Sequence, residues 1–305
     1  MDQVWQKHVL KIGLFTGLAL IAFAANSVLA RSALGTGAID AGSFTVIRLA
    51  SGAVFLFIIV GLGSVRLSNV RLGNAEPGNN RPAGKQSGSW MASFMLFTYA
   101  ITFSFAYITL DTGTGALILF GAVQITMILV SLFKGTRLQV LEWVGLIAAF
   151  SGFVYLILPG LTTPTLTGFG LMTVSGIAWG LYTLSGRKST NPLADTAYNF
   201  LRTLPFVGVV FLIVLSNASF SMRGVILAIL SGGIASGVGY TLWYTALGGL
   251  SATQAAVLQL LVPVIAAVGG VIFIAESITA RLVVSATFIL AGILLVVLSR
   301  RAPDA

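Results

Sequence analysis

Apolar residues in this chain form long, nearly unbroken runs that are separated by short polar breaks. A helix needs about 20 mostly apolar residues to cross a lipid bilayer, and ten runs have this length or come close to it. The pattern therefore predicts an all-α polytopic membrane protein with ten transmembrane helices. The runs cover residues 9–29, 42–62, 90–110, 114–133, 141–158, 167–185, 197–215, 223–244, 252–274 and 280–299.

Composition agrees with this pattern. Of the 305 residues, 57% are hydrophobic and 8% are charged, whereas a soluble domain has about 25% charged residues. Ten spans with short connections occupy nearly the whole chain. No length remains for a separate soluble catalytic domain.

The formal net charge of +9 is unevenly distributed along the chain. With the N-terminus inside and the loops alternating, twelve Lys and Arg residues fall inside, three fall outside and two lie within spans. Positive residues concentrate in cytoplasmic loops, so we expect both termini in the cytoplasm. The charge then serves orientation and contact with anionic lipids, and no nucleic-acid partner is expected. The three outside residues are Arg31, Arg223 and Arg281, and the two within spans are Arg48 and Arg202.

The chain has no cysteine and one histidine, His8, near the start of the first run. Disulfides, thiolate catalysis and cysteine-based metal sites are therefore excluded. We expect the first run to remain as an uncleaved helix. The letters "VLA" at 28–30 resemble a signal-peptidase site and leave cleavage as the alternative.

Segments of the first half recur, in order, in the second half. "AFAANSVLAR" (22–31) aligns with "AWGLYTLSGR" (178–187), and "FTVIRL" (44–49) aligns with "YNFLRT" (198–203). Two further matches keep the order, 107–128 with 244–265 and 152–158 with 292–298. The matches predict two five-helix repeats, 1–160 and 161–305. Because five is an odd number, the second repeat must be inverted in the membrane.

Inverted repeats are common in secondary transporters, which bind substrate near the membrane midplane between the repeats. We therefore predict an alternating-access carrier. A channel or a non-transporting structural membrane protein is the alternative. An intramembrane enzyme is not expected, because the spans lack a nucleophile with a base, a metal cluster or a pair of mid-span acids.

Polar and aromatic residues are scarce in the middle of the spans, where polar side chains usually face the bundle interior. Asn and Gln donate and accept hydrogen bonds, and aromatic rings offer a face to a planar or cationic ligand. We assign a substrate-binding role to the mid-span members of this group, without a metal or cofactor. They are Asn26, Tyr99, Phe103, Gln124, Trp179, Tyr182, Tyr240 and Gln259.

Each of these residues also has a structural interpretation. The amides could form interhelical hydrogen bonds. The rings of Tyr99, Phe103 and Tyr107, which recur every four residues on one helical face, could be packing residues. For Arg48 and Arg202, near the ends of their spans, anchoring with snorkelling side chains is the favoured interpretation. A counter-charge for a substrate carboxylate is the alternative.

Glycines cluster in the eighth run, at Gly232, Gly233, Gly237 and Gly239. Small residues permit close helix approach, which is favoured here over a hinge. Such spacing does not by itself establish a dimer, so the expected partners are a small-molecule substrate and membrane lipids, with a monomer or a weak homodimer.

Three segments carry a resemblance to a known family: "AFAANSVLARSAL" (22–34), "GTGALILFGAVQITMI" (113–128) and "LSATQAAVLQLLVPVIAAVGGVIF" (250–273). Together with Glu276, they resemble the EamA-type branch of the drug/metabolite transporter superfamily. The run "ALILFGAVQ" is similar to amino-acid exporters, including exporters of aromatic amino acids. The resemblance implies a ten-helix exporter of amino acids or related compounds, with drugs or other metabolites as the alternative. The letters "KGTR" (134–137) depart from it, because a Gly-Glu pair is usual there.

Overall fold

A computed structural model describes most of the chain, and its regular structure is helical. The described residues are 3–71, 88–133, 135, 139–158, 164–186, 189, 191–247, 249–250 and 258–299. Within these ranges the strand pairing consists of one isolated β-bridge, which joins Ile39 to Phe220. The helices are α1 Gln3–Leu34, α2 Ala41–Arg71, α3 Trp90–Ala106, α4 Thr112–Phe133, α5 Val140–Ile157, α6 Leu166–Gly186, α7 Pro192–Val214, α8 Met222–Leu247, α9 Val262–Ile274 and α10 Ala280–Ser299.

The helices follow the predicted runs, which confirms the all-α polytopic class. Seven of them are long and apolar enough to cross a membrane: α1, α2, α4, α5, α7, α8 and α10. The remaining three differ for separate reasons. Helices α3 and α9 have 17 and 13 residues, and the first part of the ninth predicted run, 252–257, lies outside the described residues. Helix α6 has 21 residues, and its Gly, Ser and Thr content lowers its hydropathy.

Large apolar side chains cover the outside of the bundle. Phe133, Val140 and Phe273 are exposed by 90%, 83% and 76%, and one whole face of α5 is similarly uncovered. A soluble monomer rarely exposes such continuous apolar surface. This surface fits contact with lipid tails.

Helix packing separates a central group from a peripheral pair. Helix α1 packs against α8 and α9, helix α3 packs against α6 and α7, and helix α4 packs against α6 and α9. Helix α5 packs mainly against α10, where a Cβ on Gly145 would lie 2.5 Å from the Gly292 carbonyl oxygen. Helices α1, α3, α4, α6 and α8 therefore form a central group, and the α5–α10 pair lies at its periphery.

A loop contact fixes the start of α2. Asp40 accepts hydrogen bonds from the backbone N–H groups of Ser43, at 2.8 Å, and Ser219, at 3.1 Å. Partial burial raises the pKa of the Asp40 carboxyl, but the hydrogen bonds from Ser43 and Ser219 outweigh it and the pKa lies below its ordinary value. The contact holds the α1–α2 loop against the segment that precedes α8.

Candidate functional site

Five helices meet around a small cavity with aromatic walls. Its volume is about 10 Å³, which is room for about one water molecule. Tyr99 lies ten residues after Ser89, the N-cap of α3, and eight residues before Tyr107, or about 15 Å and 12 Å along the helix. The cavity is therefore near the middle of a hydrocarbon layer about 30 Å thick. Its lining is Phe23, Asn26 and Ser27 of α1, Tyr99 and Phe103 of α3, Leu119 and Phe120 of α4, Trp179 of α6 and Tyr240 of α8.

Trp179 is at the centre of the aromatic cluster. Its ring centroid lies 5.0 Å from that of Tyr240, with the planes 26° apart, and 4.9 Å from that of Tyr99. Phe23 contacts Tyr240 at 5.9 Å. These are the spacings of favourable offset and tilted ring pairs. The rings fill the space between them, so a ligand must displace them to enter.

The structure brings together five of the eight predicted site residues: Asn26, Tyr99, Phe103, Trp179 and Tyr240. Tyr182 is one helical turn from Trp179, with the ring centroids 5.4 Å apart, and lies outside the lining. Gln124 and Gln259 are buried, with 2% and 5% of their surface exposed, and neither borders the cavity. The shared face of Tyr99, Phe103 and Tyr107 is confirmed, because successive ring centroids are 5.5 Å and 4.7 Å apart.

Asn26 joins α1 to an irregular part of α8. Its Nδ2 donates to Ser236 Oγ at 3.0 Å, and its Oδ1 accepts from Ser231 Oγ at 2.6 Å. Both serines lie in a π-helical segment, Leu230–Val238. π-helical turns are rare and often occur at functional sites. Asn26 thus lines the cavity, and it also forms hydrogen bonds between α1 and α8, as the structural alternative predicted.

Arg48 is buried beside the cavity instead of extending to the surface. It is 2% exposed, its Nη2 donates to the Tyr99 hydroxyl at 2.8 Å, and its guanidinium lies 4.5 Å from the Phe103 ring centroid. Burying an ion costs several kcal/mol, and cation–π contacts return only about 0.5–2 kcal/mol. Arg202, by contrast, is half-buried in α7, with its guanidinium 5.9 Å from the Tyr198 ring centroid.

Ion pairs join three helices at one end of the bundle. Arg31, near the end of α1, contacts Glu276 at 3.1 Å and Asp111 at 3.2 Å. Glu276 also accepts from the Thr112 N–H at 2.9 Å. Ala275 precedes Glu276 with φ at 58°, a left-handed conformation that is uncommon outside glycine. The network links the ends of α1 and α9 to the start of α4.

Hydrogen bonds connect α3 to α7 at the opposite end. The backbone N–H groups of Gly88 and Ser89 donate to the side chains of Asp195 and Asn199, each at 2.9 Å. Both ends of the helix bundle therefore carry contacts that bridge neighbouring helices.

Sequence reasoning missed four lining residues: Phe23, Ser27, Leu119 and Phe120. Phe23 lies three residues before Asn26 and four residues before Ser27, so helical periodicity from Asn26 to Phe23 and from Phe23 to Ser27 could have found them. Leu119 and Phe120 carry no such signal, because apolar residues surround them on every face of α4. Ser231 and Ser236 were also missed, since small hydroxyl residues are ordinary within membrane helices.

Comparison with known proteins gives the family. An uncharacterized protein of Pseudomonas aeruginosa is 45% identical to this chain over 287 residues, which are 94% of each protein. The sequence pattern of the EamA-like transporter family matches residues 166–298. The chain belongs to the EamA-like transporter family. It is thus a membrane transporter of the drug/metabolite transporter superfamily, as the resemblance implied.

Other relatives of this EamA-like transporter agree. An uncharacterized transporter of Archaeoglobus fulgidus is 29% identical over 210 residues, which cover 66% of this chain and 74% of that protein. One crystal structure shares the fold with a TM-score of 0.59 and 15% identity, covering 93% of this chain and 98% of its own. The family match begins at the first residue of α6, so Trp179 and Tyr240 lie within it and Asn26, Tyr99 and Phe103 lie before it.

Proposed function

We propose that this EamA-like transporter exports small metabolites, amino acids first among them, across the bacterial inner membrane by alternating access. The observation that carries the proposal is the mid-membrane aromatic cavity where α1, α3, α4, α6 and α8 converge. Ligand sites are typically apolar concavities with a few placed polar groups. Asn26, Ser27 and Tyr99 supply such groups here.

The bridging contacts at both ends of the bundle support alternating access. A carrier must pass through a state in which the central site is sealed from both sides, and the bridges at Arg31 and at Asp195 would seal it. The predicted repeats, 1–160 and 161–305, would open one end at a time by rocking against each other. The positive-inside distribution would place the Arg31 end outside and both termini in the cytoplasm.

The aromatic lining of the cavity favours substrates with a flat side chain. The rings of Trp179 and Tyr240 lie nearly parallel, and Tyr99 and Phe103 form an adjacent wall. A planar side chain could exchange its contacts with water for contacts with these faces. Aromatic amino acids are therefore the amino acids that fit the proposal best.

Counterflow tests the proposed function. Proteoliposomes that contain the protein and are preloaded with unlabelled L-phenylalanine should transiently accumulate labelled L-phenylalanine, because an alternating-access site exchanges one substrate for another. The uptake rate should saturate with substrate concentration, and protein-free liposomes are the control. Uptake that rises linearly without counterflow would identify a channel, and absence of uptake would remove L-phenylalanine from the substrates.

We expect Arg31→Gln to open the outer end of the path. The substitution removes the charge that pairs with Asp111 and Glu276, and hydrogen bonds to charged groups contribute about 1.5–3 kcal/mol each. Because the chain has no native cysteine, a Ser27→Cys variant places a single thiol in the cavity. Adding Arg31→Gln should speed its labelling by a membrane-impermeant reagent from outside by roughly tenfold or more.

Arg223→Gln is the matched control for this test. Arg223 is exposed and its Nη2 donates to Ser32 Oγ at 3.3 Å, without a carboxylate partner among the described residues. Its loss should leave the labelling rate unchanged. Faster labelling only from the cytoplasmic side would show that the orientation is reversed, and an unchanged rate from both sides would show that Arg31 does not close the path.

A further inference from the structure

Arg48 is a buried cation that no carboxylate of the described chain neutralises. The carboxylates of Asp111 and Glu276 pair with Arg31 instead. Within the same residues, Arg48 Nη1 has no hydrogen-bond partner although it is shielded from the surface. An ionisable group inside the membrane is expensive and is by default a sign of function. An unpaired buried charge needs either a partner or a ligand.

Arg48 contacts two residues that line the cavity. Its guanidinium carbon lies 4.5 Å and 5.2 Å from the ring centroids of Phe103 and Tyr99. The Tyr99 hydroxyl accepts a hydrogen bond from Arg48 Nη2. The hydrogen of that hydroxyl has no acceptor in the described residues. Arg48 Nη1 and Tyr99 Oη belong to two residues joined by a hydrogen bond, and each leaves a donor unused beside the cavity.

Two adjacent donors, one of them charged, suit an anion with two oxygens. A carboxylate accepts hydrogen bonds at both oxygens, and arginine is well matched to its planar geometry. The nine lining residues include no acidic side chain. A substrate ammonium group would thus meet no opposite charge at the lining and would be repelled by Arg48 across a medium of low dielectric constant.

We infer that Arg48, together with the Tyr99 hydroxyl, binds the carboxylate of the substrate, and that the site does not require an amino group. The inference rests on the proposed transport function and narrows its substrates to organic carboxylates with a flat, unsaturated body. Aromatic amino acids and their deaminated counterparts both belong to this class. Decarboxylated amines of the same shape do not.

Three compounds with the same phenyl ring separate these possibilities: L-phenylalanine, 3-phenylpropionate and 2-phenylethylamine. Their binding to the detergent-solubilised protein is measured by isothermal titration calorimetry. The Kd of 3-phenylpropionate should lie within about tenfold of that of L-phenylalanine, while 2-phenylethylamine should bind roughly a hundredfold more weakly or worse. Equal binding of the amine and the acid would overturn the inference, as would no binding of either carboxylate.

Substitution of Arg48 tests the residue itself. Arg48→Gln should weaken both carboxylates by roughly thirtyfold or more and leave the amine no weaker, and Arg48→Lys should retain part of the affinity because it keeps the charge. Arg281→Gln is the control, since Arg281 also lies over a ring, that of Tyr155, far from the cavity. A purely structural role of Arg48 would lower the affinity of all three compounds alike, which would overturn the assignment.

The two proposals fail in different ways. In one outcome L-phenylalanine shows counterflow, but 3-phenylpropionate neither binds nor competes. This result would support the carrier and refute the inference that the site does not require an amino group. Specific binding of both carboxylates without counterflow would support the assignment of Arg48 and refute transport of these compounds. The ligand series uses the unaltered protein, so the test does not depend on whether an Arg48 variant folds.

Discussion

Trp179→Ala should nearly abolish transport of aromatic substrates. Trp179 contacts Tyr99, Tyr182 and Tyr240 and is the central ring of the cavity wall. Burying one large apolar side chain against such a face is worth about 1.5–3 kcal/mol, so its loss should raise the substrate Kd by roughly tenfold to a hundredfold. Counterflow rates in proteoliposomes, normalised to the amount of folded protein, and calorimetric Kd values measure the effect.

Two further variants show whether this effect is specific to the site. Trp179→Phe keeps a ring and should retain most of the affinity. Trp143→Ala removes a tryptophan of α5 that is 50% exposed on the outside of the bundle, and transport should be preserved. A Trp179→Ala protein that binds and transports like the parent would show that the aromatic cavity is not the substrate site.

Gly232→Ala should strongly destabilise the folded protein. A Cβ at Gly232 would lie 2.0 Å from the Arg48 carbonyl oxygen and 2.3 Å from Ser51 Oγ, and a backbone oxygen cannot rotate away as a side chain can. Helices α2 and α8 would have to separate, and overpacking of this kind costs about 1–3 kcal/mol. The thermal unfolding midpoint in detergent should fall. Transport should also fall, because α2, which would move away from α8, carries Arg48.

Gly208→Ala provides the comparison within the same protein. Gly208 lies in α7 and a Cβ there would have no heavy atom within 4 Å. The substitution should leave the unfolding midpoint unchanged or raise it, since alanine favours a helix over glycine by up to about 1 kcal/mol. Equal midpoints for Gly232→Ala and the parent would show that α2 and α8 approach less closely than described.

The favoured roles of Asn26 and Arg48 could not be assigned from spacing alone. An amide in a span can bind substrate or a neighbouring helix, and only the positions of Ser231 and Ser236 decide that Asn26 bonds to α8. An arginine near a span end can reach the surface or turn inward. In the structure Arg48 is 2% exposed and Arg202 is half-buried. The two residues occupy aligned positions in the sequence, so the alignment did not predict this difference in burial.

The sequence by itself determined the helices, because run length and hydrophobicity are local properties that a bilayer selects directly. It also determined which mid-span aromatic residues were available, and Tyr99, Phe103, Trp179 and Tyr240 all line the cavity. Which faces meet was decided only by tertiary packing, through contacts such as Asn26–Ser236 and Arg31–Glu276 between residues 210 and 245 positions apart. Every face of an apolar helix carries nearly the same hydrophobic signal, so the pattern placed Gln124 and Gln259 in the cavity as readily as Tyr99. Only the packing of the helices shows that Tyr99 lines the cavity and that the two glutamines do not.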